Sequence, residues 1–143
     1  MKLNKILLIH GPNLNLLGSR EISIYGKDSQ EQLFDFIKSN FPNIEFIFFQ
    51  SNHEGLIIDK IHDCKDLVDA IIINAGALSH YSYAIRDAIK AINIPTIEVH
   101  LSNLNDREDF RKKLVLSDVC IDIIQGKGKK GYINAIKKLE KLL

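Results

Sequence analysis

Short apolar runs recur along the chain, separated by amphipathic stretches, and this alternation most restricts the fold. Ile6 to Ile9, Glu45 to Gln50, Ala70 to Ile73, Thr96 to His100 and Val119 to Ile124 are rich in isoleucine, valine and phenylalanine, residues that favour strands. Ile6 to Ile9 and Ala70 to Ile73 carry no polar interruption, the mark of strands buried on both faces. Between the runs, apolar residues fall at helical spacing. Leu33, Phe34, Ile37 and Phe41 form one stripe; Leu56, Ile57, Ile61 and Cys64 a second; Ala84, Ile85, Ala88 and Ile89 a third; Ile133, Ile136, Leu139 and Leu143 a fourth. Asp28 with Glu31 three residues on resembles a capping box opening the first helix, and Pro42-Asn43 closes it. A long loop, Asn13 to about Lys27, precedes that helix, with Gly18 and Gly26 as flexible points. A polar segment, Asn103 to Lys113, suits one or two helical turns.

Strict alternation of strand and helix predicts a parallel sheet covered on both faces. Five strands favour a flavodoxin-like α/β three-layer sandwich of order 2-1-3-4-5 over a six-stranded Rossmann sheet. Ligands in such sheets bind at the carboxyl ends of the strands, where strands 1 and 3 diverge. A length of 143 residues suits one domain, here residues 1–143. Lys+Arg 19 against Asp+Glu 18 gives +1, so no nucleic-acid footprint is expected. No apolar run reaches membrane length, and the run before His10 is too short for a signal-peptide core. Cys64 and Cys120 lack metal spacing and read as reduced core residues of a cytoplasmic protein.

Polar residues from several segments fall on the predicted rim. Asn13 follows strand 1, Asn74 ends strand 3 and His100 ends strand 4. Glu98 and His100 share one strand face. A carboxylate there can set the imidazole's tautomer and raise its proton affinity, although a surface pair at a sheet edge has the same spacing. In the loop, Arg20 precedes Tyr25 by five residues. A neighbouring guanidinium favours phenolate and could make Tyr25 a base, although the spacing alone favours a loop tyrosine packed as a lid. With His100 as acid and Asn13, Asn74 and Arg111 to grip an anion, the set suits proton abstraction beside a carbonyl and acid-assisted loss of hydroxyl. It calls for no metal and no cofactor.

Three patterns mislead. Gly126 to Gly131 reads G-x-G-x-x-G, but the chain ends before the strand and acidic residue that dinucleotide binding requires. His53-Glu54 starts like H-E-x-x-H, with Ile57 where the second histidine belongs. His10-Gly11 and Asn74 stand where a phosphate receiver would carry its acidic residues. His10 and His62 read as a strand-end and a solvated helix histidine, and Lys137, Lys138 and Lys141 as one wet helix face.

The run Gly11-Pro12-Asn13-Leu14-Asn15-Leu16-Leu17-Gly18-Ser19-Arg20-Glu21, followed by Tyr25-Gly26, resembles the signature of type II 3-dehydroquinate dehydratases. So do Gln50 to Gly55, Ile73 to His80, Arg86-Asp87-Ala88, Glu98 to Asn103, Arg107-Glu108 with Phe110-Arg111, and Gly131-Tyr132. These motifs span nearly the whole chain. The resemblance implies a flavodoxin-like enzyme that removes water from 3-dehydroquinate through an enolate, without a Schiff base, in the shikimate or quinate pathway. It implies Tyr25 as proton acceptor, His100 as proton donor, Arg20 as the residue that activates Tyr25, and Asn13 as holder of the enolate-side water. Glu98 would be the partner of His100. Asn74, His80, Leu101, Ser102 and Arg111 match substrate-binding positions. Asp87 matches a residue that approaches a neighbour's site, in a dodecamer built from trimers. Ile22 departs from the family's usual proline, Lys112-Lys113-Leu114 from its histidine- and serine-containing run, and Asp122 and Lys127 from smaller or apolar residues. The rival class is a flavin- or nucleotide-binding module on the same fold, which a colourless protein binding neither AMP nor FMN would exclude. A catalytically dead homologue is opposed by the intact Arg20, Tyr25, Asn74 and His100.

Overall fold

The computed structural model describes residues 2–143. Its sheet holds β1 (Lys5–His10), β2 (Glu45–Gln50), β3 (Ala70–Asn74), β4 (Thr96–His100) and β5 (Asp122–Gln125), all parallel, in the order β2-β1-β3-β4-β5. The flavodoxin-like order read from the alternation is the one found. Helices α2 (Gln30–Asn40) and α5 (Lys130–Leu142) pack with Ile6, Leu8, Ile72, Ile97 and Val99. Helices α3 (Glu54–Asp63) and α4 (Tyr83–Ile92) pack with Leu7, Ile9, Ile71 and Ile73. Successive strand residues alternate between the two layers because their side chains alternate across the sheet. Each fully buried isoleucine or leucine contributes about 1.5–3 kcal/mol, and the three inner strands are buried along nearly their whole length.

Several boundaries differ from the sequence reading. The loop after β1 is partly helical, with a 3-10 turn at Leu14–Leu16 and a single turn, α1 (Ile22–Tyr25). The capping box of α2 is Ser29 with Gln32, not Asp28 with Glu31. The Ser29 hydroxyl accepts from the Gln32 backbone N–H at 3.1 Å, and the Ser29 backbone N–H donates to Gln32 Oε1 at 2.9 Å. Asp28 instead pairs with Lys129 at 3.0 Å. Leu56 is 51% exposed, since the buried stripe of α3 runs through Ile57, Ile61 and Cys64, and a residue beside a stripe points about 100° away. Ala84 is likewise exposed, beside the stripe of Ile85, Ala88 and Ile89. Strand β5 starts at Asp122 because Ser117–Val119 forms a 3-10 turn. In α5 the deepest aromatic is Tyr132, with Ile133 only half-buried. The polar segment holds two 3-10 turns, Leu104–Asp106 and Asp109–Lys112.

Candidate active site

Strands β1, β3 and β4 end at His10, Asn74 and His100. In register His10 lies opposite Asn74, and the sheet's carboxyl edge is the floor of a cleft. Two glycines press the loops after β1 and β3 together. A Cβ on Gly11 would lie 2.3 Å from the Ala75 carbonyl oxygen. Gly76 takes φ +60°, and a Cβ there would lie 2.9 Å from the Pro12 carbonyl oxygen. Backbone this close leaves no room for a side chain, so Asn13 and Asn74 line the same cleft. Asn13 itself has φ 71°, a left-handed conformation that asparagine tolerates better than most residues.

The back wall is a buried acid–base pair. His100 Nε2 sits 2.6 Å from Glu98 Oε2, and the Ser117 hydroxyl donates to Glu98 Oε1 at 2.8 Å. Glu98 has no exposed surface and His100 is 5% exposed, its ring lining the cleft. Each oxygen of the buried carboxylate thus has a donor, as buried charge requires. A carboxylate in this position fixes the imidazole's orientation and compensates the charge of an imidazolium. The surface-pair reading fails here because the pair is buried.

Tyr25 and Arg20 form the opposite wall, on the loop after β1. Arg20 Nη2 donates to the Tyr25 hydroxyl at 2.8 Å, and the Arg20 guanidinium carbon lies 3.8 Å from the Tyr25 ring centroid. Arg107 faces the same ring at 5.1 Å and reaches the Ser102 hydroxyl at 3.4 Å. Two guanidinium groups about one tyrosine compensate negative charge on its oxygen. The loop is largely exposed, with Ile22 at 55%. Gly18 and Gly26, at φ +92° and +88°, flank it.

Arg111, His80, Leu101 and Ser102 complete the cleft. His80 Nδ1 donates to the Lys113 carbonyl at 2.8 Å. Burial, against that hydrogen bond, keeps the ring's pKa below its ordinary value, so His80 serves as a neutral group. Arg111 pairs with Glu108 at 3.0 Å. Three arginines and no carboxylate line the cleft directly, so the site favours an anionic ligand. Among the described residues no group of three or more His, Cys, Asp and Glu side chains is placed to hold a metal ion. Of the residues singled out from sequence, Asn13, Arg20, Tyr25, Asn74, His80, His100, Leu101, Ser102 and Arg111 meet here, and Glu98 stands directly behind His100. Asp87 does not join them; it lies exposed on α4.

Four residues gain a place that the sequence reading had not assigned. Arg107 was visible only within a matching motif. Ser117 lay in a stretch with no periodic signal. His10 and Tyr132 are joined across the core by a 2.8 Å hydrogen bond between ring nitrogen and hydroxyl, a contact spanning most of the chain that no local spacing foretells.

The chain and its fold have known counterparts. The family described as dehydroquinase class II matches residues 4–140. This chain belongs to the class II dehydroquinases. A 3-dehydroquinate dehydratase of Caldicellulosiruptor saccharolyticus is 56% identical over 99% of both chains. One of Bacillus cereus is 50% identical over 98% of both. Among solved structures, the type II dehydroquinase of Butyrivibrio crossotus superposes with a TM-score of 0.93 at 52% identity, covering 96% of this chain and 97% of that one. That of Propionibacterium acnes gives 0.91 at 35% identity over 98% of both. Membership of the dehydroquinase family therefore rests on similarity along nearly the whole chain and on a shared fold.

Proposed function

We propose that this protein is a 3-dehydroquinate dehydratase, with residues 1–143 as one catalytic domain, converting 3-dehydroquinate to 3-dehydroshikimate and water. The observation that carries the reading is the pairing, across one cationic cleft, of a tyrosine hydroxyl 2.8 Å from Arg20 Nη2 with a histidine 2.6 Å from a buried glutamate. Tyr25 takes a proton from the carbon beside the ketone. The electron pair of that C–H bond forms an enolate, and Asn13 holds a water against the enolate oxygen. The enolate then re-forms the ketone and expels the hydroxyl on the next carbon while His100 gives it a proton, so that water departs and a conjugated enone remains. Fixed groups hold each partner in its reactive form: Arg20 and Arg107 favour the phenolate that takes the proton, and Glu98 favours the imidazolium that gives one. Asn74, His80, Leu101, Ser102 and Arg111 bind substrate, Arg111 on its carboxylate or a ring hydroxyl. No cofactor, metal or lysine imine enters the scheme.

The same reading places the enzyme in the shikimate or quinate route. It makes the enzyme a homo-oligomer, a dodecamer built from trimers, with Asp87 near a neighbour's site. It assigns the enzyme to the cytoplasm, for which the free thiols of Cys64 and Cys120 offer support. Adding 3-dehydroquinate while recording ultraviolet absorbance tests the activity. A rising enone band is expected, and borohydride should leave both the rate and the protein's mass unchanged. A silent trace, or a reduced adduct on a lysine, would overturn the proposal. Sedimentation of the active enzyme tests the assembly; a fully active monomer would remove it.

A further inference from the structure

From Asn74 a chain of neutral polar groups runs beneath the cleft floor, and its other three members have no part in the reaction scheme. Gln30, His10, Tyr132 and Asn74 are joined end to end. The His10 ring has no exposed surface; its Nδ1 lies 2.8 Å from Gln30 Oε1 and its Nε2 2.8 Å from the Tyr132 hydroxyl. The Asn74 side-chain amide donates to that hydroxyl at 3.1 Å, while Asn74 Oδ1 accepts from the Gly76 backbone N–H at 3.2 Å. The four residues come from α2, β1, α5 and β3.

Every proton in the chain follows from its one unambiguous end. A backbone N–H can only donate, so Asn74 turns its oxygen to Gly76 and its NH2 to Tyr132. The Tyr132 oxygen therefore accepts from Asn74, and its own proton goes to His10 Nε2. That nitrogen must then be bare, so the ring proton sits on Nδ1 and is given to Gln30 Oε1. A flip of the Asn74 amide would set its oxygen against a hydroxyl whose proton is committed, and its NH2 against another N–H. Both contacts are repulsive, and both polar groups are buried, where an unmade hydrogen bond is most costly. Burial also holds the His10 pKa down to about 4 and pushes the Tyr132 hydroxyl up, so both stay neutral and the direction of the chain persists at physiological pH.

We infer that Tyr132, oriented by neutral His10 and Gln30, is a positioning residue that locks the Asn74 amide in one orientation, leaving one N–H and one oxygen lone pair for the ligand. The inference rests on the proposed role of Asn74 as a substrate contact. It assigns a task in binding to three side chains outside the cleft.

A double-mutant cycle on the full-length enzyme tests it. Tyr132→Phe removes only the hydroxyl and should lower kcat/KM about tenfold, the weight of one buried hydrogen bond. In an Asn74→Ala background the same change should cost less than about twofold, because no amide remains to be oriented. His10→Gln, whose amide can accept from Tyr132 and donate to Gln30, should recover most of the activity that His10→Leu loses; this pair carries the test if Tyr132→Phe fails to fold. Equal losses with and without Asn74, or full activity in both Tyr132→Phe and His10→Leu, would overturn the inference. Nitrogen NMR of His10 is independent of substrate: a proton on Nδ1 and a bare Nε2 are expected, and the opposite tautomer would also overturn it. A parent enzyme that forms no enone defeats the proposed function alone; the tautomer, and the shift of the Asn74 NH2 signals on Tyr132→Phe, then decide this inference.

Discussion

The two sides of the cleft are built on opposite plans. The floor, Asn74 with His10 and Tyr132 beneath it, is almost wholly buried, its groups tied to three separate elements of the core. The lid, Arg20 and Tyr25, stands half-buried on a largely exposed loop between glycines of positive φ, with Tyr25 at the edge of the core and bonded to Arg20 by one side-chain hydrogen bond. The floor can hold a ligand in one orientation because its own groups have no alternative partners. No residue from Gly18 to Gly26 is fully buried, so opening this loop would cost far less than opening the floor. Substitutions in the two regions should therefore separate: lid changes should remove turnover and leave the fold intact, whereas floor changes should alter binding, stability and their dependence on pH.

The largest separation is expected at Tyr25. Tyr25→Phe keeps the ring and removes the oxygen, so turnover should fall to near background while substrate still binds and the melting temperature barely moves. Calorimetric binding of 3-dehydroquinate beside the enone assay measures both. An active Tyr25→Phe enzyme would assign the base elsewhere. Arg20→Lys should recover only part of what Arg20→Ala loses, since a point charge replaces a planar fork that both donates to the hydroxyl and stacks on the ring.

The back wall comes next. Losing a general acid costs about 10²–10⁴ in rate, and His100→Ala should show such a fall in kcat with KM much less changed. Glu98→Gln should act in the same direction more mildly. Ser117→Ala, which acts only through Glu98 Oε1, should cost about tenfold, in keeping with one hydrogen bond to a charged group. A Ser117→Ala enzyme with normal kcat would mean that the His100 contact alone holds Glu98.

How far the sequence foretold these regions follows from the range of the forces in each. Strand order, both helical layers and the positions of Asn74 and His100 were legible, because apolar periodicity is local and the rim is set by where each strand stops. The lid pair was legible too, Arg20 and Tyr25 lying five residues apart. The Tyr132 contact was not. Ile133 seemed the better inward residue because helical spacing is blind to a buried hydroxyl whose partner lies 122 positions away. The cap of α2 was misplaced by one residue, since Asp28 and Ser29 are both good caps; Ser29 takes the position while Asp28 is engaged by Lys129. Leu56 and Ala84 show the limit of stripe-reading: an apolar residue beside a stripe is not thereby inside.

The floor should carry a pH signature that the lid lacks. His10 titrates at about 4 in the folded protein against an ordinary 6.5, because burial disfavours the imidazolium. Between those values the unfolded chain takes up a proton that the folded chain refuses. The contribution is complete above about pH 6.5 and is lost as pH falls, by about 3 kcal/mol at most. Urea unfolding at about pH 7 and about pH 4.5 should show this loss in the parent and a smaller one in His10→Gln, whose side chain does not titrate. Equal losses would mean that other groups govern acid stability.

The smallest effect is expected where the cleft meets solvent. Glu108 reaches toward both Arg111 at 3.0 Å and Arg107 at 3.8 Å. Its own backbone N–H, and then the Arg111 guanidinium, hold the Glu108 carboxyl below the usual carboxylate range. The glutamate is exposed, where solvent screens an ion pair, so Glu108→Gln should leave the melting temperature nearly unchanged. Its kinetic effect has a definite sign nonetheless. Arg111 is the proposed holder of the substrate's carboxylate or a ring hydroxyl, and a carboxylate already on that guanidinium competes with an anionic substrate for the same donors. Removing the charge should lower KM by up to about fivefold at low salt, the upper end of what such a pair can supply, with kcat unchanged. The gain should shrink as added salt screens the pair. A raised KM would show instead that Glu108 holds Arg111 in the orientation that substrate needs, and would move this residue from competitor to support.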